Sequence, residues 1–146
     1  MFALSQAGSR LLQAVLKLGS MAAVMRVACW LELHMDKVVR SRPAVFVTLV
    51  VVDRLVSKAE KDEGFYEVID MLVTALLVPD QASGQPLLVV AALDPVGHLL
   101  AREVVSKTNL LPQARDALLC VLQEHIEVLS CDQRGAGVLK ALQGII

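Results

Sequence analysis

The sequence has 146 residues, which is enough for one domain with a hydrophobic core. Hydrophobic residues make up 55% of the chain and charged residues 20%, a balance that excludes an intrinsically disordered protein. The formal net charge of −1 argues against strong, nonspecific binding of nucleic acid by this chain alone, because neutralising many phosphates requires an excess of Lys and Arg.

The apolar runs are too short for a membrane span. The longest are AVFVTLVVV (44–52) and PLLVVAAL (86–93), well below the roughly 20 residues that a spanning helix needs, and no secretory signal opens the chain. Cys29, Cys120 and Cys131 form an odd set without CxxC spacing, which indicates buried thiols in a reducing compartment. The sequence therefore predicts an intracellular protein with no membrane partner.

A short pattern recurs along the chain: a capping Ser or Asp, two residues, a small residue, and apolar residues one and two helical turns further on. A Ser or Asp in this place accepts a hydrogen bond from an unpaired N–H of the first turn. The apolar spacing places one stripe of the helix on the core, and the small residue permits close approach of a neighbouring helix. The four copies have their caps at Ser5, Ser41, Asp94 and Asp132 and their small residues at Gly8, Ala44, Gly97 and Gly135.

Helical patterns also fill the segments between the copies, at 21–39, 65–77 and 113–129. The β-branched run VFVTLVVV (45–52) is assigned to a helix because it is in register with the other copies. The small residues are 36, 53 and 38 residues apart, and the long middle interval predicts an irregular insertion near residues 77–86. Units of this size bury their apolar faces only by stacking. We therefore predict an all-α fold, an α-solenoid of about four stacked helical repeats that forms a single domain over residues 1–146.

The first copy, GSRLLQ, resembles the RNA-facing helix of Pumilio-type (PUF) repeats, which have an armadillo-type fold. DPVGHLLAREVV and DQRGAGVLKAL are similar to the degenerate copies of the nucleolar, ribosome-assembly branch of that family. The resemblance implies a crescent of helical repeats that binds RNA, with ribosomal RNA or its precursor as the expected partner. It also implies a nucleolar or nuclear location.

In that family the residues one, two and five positions after the small residue face the RNA. Gln can bond a base edge there and Arg can stack its guanidinium on a base. The second copy offers Val45, Phe46 and Leu49, which have no hydrogen-bonding side chain, so the resemblance implies RNA contact through the concave helices without a full base-reading code. The residues it assigns to RNA binding are Ser9, Arg10, Gln13, His98, Arg102 and Lys140.

No catalytic motif, phosphate-binding loop or metal-ligand spacing is recognisable, so no enzymatic activity, cofactor or metal is predicted. The near-neutral charge leaves open a second hypothesis, a HEAT/armadillo-like protein–protein interaction scaffold with no RNA contact. Leu142, Ile145 and Ile146 give the chain an apolar end where solenoids carry polar caps. This predicts a segment of a longer solenoid, with other protein subunits or the remainder of its own chain covering the ends.

Overall fold

The computed structural model describes residues 5–111 and 113–143, and within these residues the chain is helical and contains no β-strand. The all-α prediction is thus confirmed. Short 3₁₀ helices cover Glu63–Phe65 and Thr108–Leu110. The α-helices in the described part are α1 (Gln6–Leu18), α2 (Met21–Leu33), α3 (Met35–Val38), α4 (Arg42–Ala59), α5 (Tyr66–Leu76), α6 (Leu87–Leu93), α7 (Gly97–Ser106), α8 (Arg115–Glu124), α9 (Ile126–Cys131) and α10 (Gln133–Gln143).

The four predicted caps all form, and each accepts a hydrogen bond from the small residue three positions on. The donors are the N–H groups of Gly8 to Ser5 Oγ (3.0 Å), Ala44 to Ser41 Oγ (3.4 Å), Gly97 to Asp94 Oδ2 (2.8 Å) and Gly135 to Asp132 Oδ1 (3.2 Å). Each bond satisfies a backbone donor that the first helical turn leaves unpaired. The recurring sequence pattern is therefore a recurring helix start, at α1, α4, α7 and α10.

These four helices pack on one another in consecutive order: α1 on α4, α4 on α7, and α7 on α10. We call α1, α4, α7 and α10 the capped row. Most of the other helices pack against it, with α2, α3 and α5 on α4, α6 on α7 and α10, and α9 on α10. The α8 helix packs on α9 and on the 3₁₀ helix Thr108–Leu110. One core of buried Leu, Val, Ala and Ile side chains runs through all of these contacts.

The small residues at the helix starts are buried, and two of them lie against backbone. A Cβ added at Gly97 would lie 2.5 Å from Val39 O and 3.0 Å from Ala91 Cα. A Cβ at Gly135 would lie 2.8 Å from Leu129 Cα. Any side chain larger than hydrogen would push these backbone segments apart, so glycine is required by close packing at both positions.

The segment 45–52 is helical, as predicted, despite its β-branched composition. Ser41 caps α4, and Pro43 lies in its first turn, where a missing N–H costs little. The buried side chains of Val47, Val51 and Leu55 then recur at helical spacing and enter the core. Burial of this stripe outweighs the weak strand preference of valine.

The predicted insertion is a loop of residues 77–86, and the buried carboxylate of Asp80 organises it. Asp80 Oδ2 accepts hydrogen bonds from Arg40 Nη2 (2.8 Å), Ser83 Oγ (2.9 Å) and Ser83 N (3.2 Å). The Val78 carbonyl accepts from Leu87 N (2.9 Å), and Gly84 adopts the left-handed φ of +74° that favours glycine. The loop is thereby tied to the turn that precedes α4.

We expect the Asp80 contacts to persist to unusually low pH. The Arg40 and Ser83 hydrogen bonds hold the pKa of Asp80 below its ordinary value. A depressed folded-state pKa gives stabilisation that is present above the unfolded pKa, about 3.9 for Asp, and is lost as the pH falls through the folded pKa. The Ser83 amide resonance, followed by NMR, should therefore titrate with a midpoint below about 3.9. Asp80→Asn should abolish that titration, and a midpoint at or above the ordinary Asp pKa would contradict the assignment.

A second buried carboxylate joins α5 to the start of α8. Asp70 Oδ1 accepts from Ala114 N (3.0 Å) and Oδ2 accepts from Gln113 N (3.1 Å). The pair of bonds fastens two segments more than forty residues apart in the sequence. The carboxylate also lies at the N-terminal end of α8, where the helix dipole favours a negative charge.

The prediction of buried thiols is wrong, since Cys29, Cys120 and Cys131 are all exposed. Each lies on a helix side that faces away from the core. Cys120 Sγ donates to Glu124 Oε1 (3.4 Å), and this carboxylate raises the pKa of the Cys120 thiol.

Among the helices of the described ranges, none has both the length and the hydropathy of a membrane span.

Candidate nucleic-acid interface

A groove of about 510 Å³ lies between α1 and α4 and brings together the residues predicted from the first copy. Ser9, Arg10 and Gln13 of α1 line one side, and Arg42 and Phe46 of α4 line the other. Two helices that start with the same pattern thus contribute equivalent turns to one site.

Ser9 forms the floor of this groove and is 2% exposed. Its hydroxyl donates to Pro43 O (2.7 Å), which fastens α1 to the first turn of α4. The same oxygen accepts from Gln13 Nε2 (2.8 Å) and so orients the Gln13 amide within the groove. Ser9 therefore acts on the groove by positioning Gln13.

Arg42 is a residue of this groove that the sequence analysis missed. Its Cζ lies 5.8 Å from the centroid of the Phe46 ring, within the range of a cation–π contact. The family's RNA-facing positions all follow the small residue, whereas Arg42 precedes Ala44, so the pattern does not include it. Its spacing of four residues from Phe46 on one helix was the signal that could have found it.

Two further grooves continue this surface along the capped row. The next, about 450 Å³, shares Gln13 and Phe46 with the first and adds Leu49. The third, about 380 Å³, shares Leu49 and is completed by Leu99 and Arg102 of α7 and Ala141 of α10. Lys140 precedes Ala141 on α10 and is exposed, although it lines none of these three grooves. We call this surface the row face, and define it by Arg10, Gln13, Arg42, Phe46, Leu49, Leu99, Arg102, Lys140 and Ala141.

The three predicted positions of each copy differ in exposure. The position directly after the small residue is buried at Ser9 and Val45, and half-buried at His98 and Ala136. His98 Nδ1 lies 3.0 Å from Asp94 O, so its ring is engaged at the start of α7. None of the later positions is buried. Arg10, Arg102 and Lys140 are exposed, and the half-buried ones are Gln13, Phe46, Leu49, Leu99 and Gly137. The first position thus serves helix packing, and the other two supply the surface.

The exposed positive charge of the row face is carried by Arg10, Arg42, Arg102 and Lys140, and exposed Lys17 adds to it in the second groove. Arg54, in the second groove, instead donates to the Leu16 carbonyl and to Gly19 O (3.1 Å), and so caps the carboxyl end of α1. Acidic side chains also line the grooves, Asp53 in the second and Glu103 in the third, where Glu103 pairs with Lys107 (3.4 Å).

This arrangement can offer guanidinium and ammonium donors to phosphates, an amide to a base edge, and planar groups for stacking. In the described ranges, no group of three His, Cys, Asp or Glu residues is placed so that it could hold a metal ion. Comparison of the chain with models of protein families, with curated proteins and with solved structures finds no match.

Proposed function

We propose that this protein is a divergent PUF-type α-solenoid that binds single-stranded RNA along the row face, in association with ribosomal RNA or its precursor. The observation that carries the proposal is the continuity of that face across four helices with the same capped start. A repeated helix spacing suits a linear polymer, because each layer can meet a successive segment of the strand.

The chemistry of the face suits backbone contact more than base reading. Arg10, Arg102 and Lys140 are exposed on α1, α7 and α10, where they would contact successive phosphates. The amide of Gln13 is held in place by Ser9, and it could form a hydrogen bond with a base edge. The Phe46 ring with the Arg42 guanidinium would add a stacking platform, which tolerates any base. Binding should therefore depend strongly on salt and weakly on sequence.

Replacing Arg10, Arg102 and Lys140 together by alanine should weaken binding of a fluorescein-labelled, mixed-sequence single-stranded RNA by about tenfold or more. Each lost phosphate contact also removes about 0.7 from the slope of log affinity against log salt, so the slope should become shallower by about 2. Fluorescence anisotropy over a series of salt concentrations measures both quantities.

A charge-matched control is available on other surfaces. Lys58, Lys61 and Arg115 are exposed and lie outside the grooves of the row face. Their triple alanine variant should change the affinity by less than about threefold, because distant exposed charges are screened. Equal losses in both triple variants, or unchanged affinity in the first, would contradict the proposal.

A protein-interaction scaffold is the second candidate, and one feature favours it. The side of α1 that carries Leu11, Val15 and Leu18 is exposed, with Leu18 91% accessible. Apolar side chains at this helical spacing suit a further helix packed on the end of the capped row. Leu142 is half-buried at the other end, and Ile145 and Ile146 lie outside the described residues. A scaffold with no RNA contact would show no RNA affinity at low salt.

A further inference from the structure

A separate groove of about 430 Å³ lies between α2–α3 and α5, away from the residues of the row face. Its apolar surface includes Met71 and Ala75 of α5, Leu33 of α2 and Val78 of the loop 77–86. Leu33 is 77% exposed and Val78 is 52% exposed, so two large apolar side chains at the groove meet solvent. Their burial by a partner would be favourable, because it removes apolar surface from water.

The loop 77–86 gives this groove a fixed wall. Val78, Pro79, Asp80 and Gln81 line one end. Asp80 holds that end through its bonds to Arg40 (2.8 Å) and Ser83, and the Val78 carbonyl is bonded to Leu87 N. A wall held in place by such bonds needs little ordering when a partner docks, which lowers the entropic cost of binding.

The charged side chains that line the groove are acidic. Glu32 of α2 and Asp36 of α3 line the groove. Asp80 is paired with Arg40, whose guanidinium also donates to the Asp36 carbonyl (3.1 Å). Of the described residues that line the groove, none is Lys or Arg. Two carboxylates beside exposed apolar side chains complement a segment that carries Lys or Arg beside its own apolar residues. The same carboxylates repel phosphate, so this groove and the row face differ in the ligand each favours.

We propose that this groove docks a short, basic, amphipathic segment of a partner protein. The apolar residues of the segment cover Leu33 and Val78, and its cations pair with Glu32 and Asp36. The proposal does not depend on RNA binding, because it uses other residues and the opposite charge. It gives the insertion in the long middle interval a role as one wall of the docking site.

The probe is a fluorescein-labelled helical peptide of about 14 residues, about 20 Å long, with Leu at positions i, i+3, i+4 and i+7 and Lys elsewhere. Its control peptide has Glu in place of every Lys. Fluorescence anisotropy should show saturable binding of the Lys peptide and at least about tenfold weaker binding of the Glu peptide. Equal binding of the two peptides would overturn the proposal.

Matched variants localise the contact. The double variant Glu32→Lys/Asp36→Lys should weaken binding of the Lys peptide about tenfold. The control is Glu60→Lys/Glu127→Lys, which makes the same charge change at exposed sites elsewhere. Its affinity for the Lys peptide should stay within about threefold of the unmodified protein. Leu33→Ser should also weaken binding of the Lys peptide, and Ile126→Ser, at another exposed apolar residue, should not. Equal effects of the paired variants would show nonspecific attraction and overturn the proposal.

Two further outcomes would also overturn it. If sedimentation shows a dimer that Leu33→Ser converts to a monomer, the occupant of the groove is a second copy of this chain. If single-stranded RNA displaces the Lys peptide competitively, the peptide lies on the nucleic-acid site. If Leu33→Ser alters the helical circular dichroism signal, Val78→Ser replaces it in the binding test, because Val78 is an exposed loop residue of the same groove.

Discussion

Gly97→Val is expected to lower the free energy of unfolding by about 3 kcal/mol. The Cβ would meet Val39 O at 2.5 Å and both Ala91 Cα and Ala91 O at 3.0 Å. These are backbone atoms, which cannot move aside by a change of rotamer, so α7 would have to shift from α6 and from the turn before α4. Urea denaturation followed by circular dichroism measures the loss.

Two glycines of α10, Gly135 and Gly137, extend this test to another helix. Gly135→Ala should destabilise by about 1–2 kcal/mol, because its Cβ would lie 2.8 Å from Leu129 Cα. At Gly137 the nearest atom in the described residues would be Arg102 Cδ at 3.9 Å, an ordinary contact. Gly137→Ala should therefore stabilise by up to about 1 kcal/mol, through the better helix propensity of alanine. Similar effects of Gly135→Ala and Gly137→Ala would contradict the close approach at the helix starts.

Asp70→Ala should cost about 2–3 kcal/mol of stability. It would remove the acceptors of the Gln113 and Ala114 N–H groups, of which the Ala114 bond is buried and the Gln113 bond partly buried, and each bond involves a carboxylate acceptor. The same urea denaturation measures the global cost, and faster hydrogen exchange of the Ala114 amide would locate it at the start of α8.

The control for this substitution is Asp53→Ala, which removes an exposed carboxylate from α4. A surface change of this kind should alter stability by no more than about 0.5 kcal/mol. If Asp70→Ala and Asp53→Ala have the same effect, the Asp70 carboxylate does not fasten α8 as described.

Features that depend on neighbouring residues could be predicted from the sequence. The caps at Ser5, Ser41, Asp94 and Asp132 each act within three residues, so local chemistry determines them. The helical assignment of 45–52 followed from the same cap, and the insertion followed from the spacing of the copies. The four copies have the same spacing between cap, small residue and apolar residues. This spacing predicted that each of the four helices would expose its corresponding turn on the same surface.

Features that depend on residues far apart in the sequence could not be predicted. Asp70 bonds to residues 43 and 44 positions away, and Arg40 reaches Asp80 across 40 positions. Apolar periodicity shows which side of a helix faces inward, and it does not show which element will cover a neighbouring polar side chain. The burial of Ser9 has the same origin, since it depends on the position of Pro43 on α4.

The most direct test of RNA binding on the row face is an amide chemical-shift map during titration with single-stranded RNA. The perturbed amides should belong to α1, α4, α7 and α10, including those of Arg10, Gln13, Phe46, Arg102 and Lys140. The amides of Glu32, Met71 and Val78 should keep their resonance positions. Perturbation confined to those last three, or an unchanged spectrum at RNA excess in low salt, would contradict RNA binding on the row face.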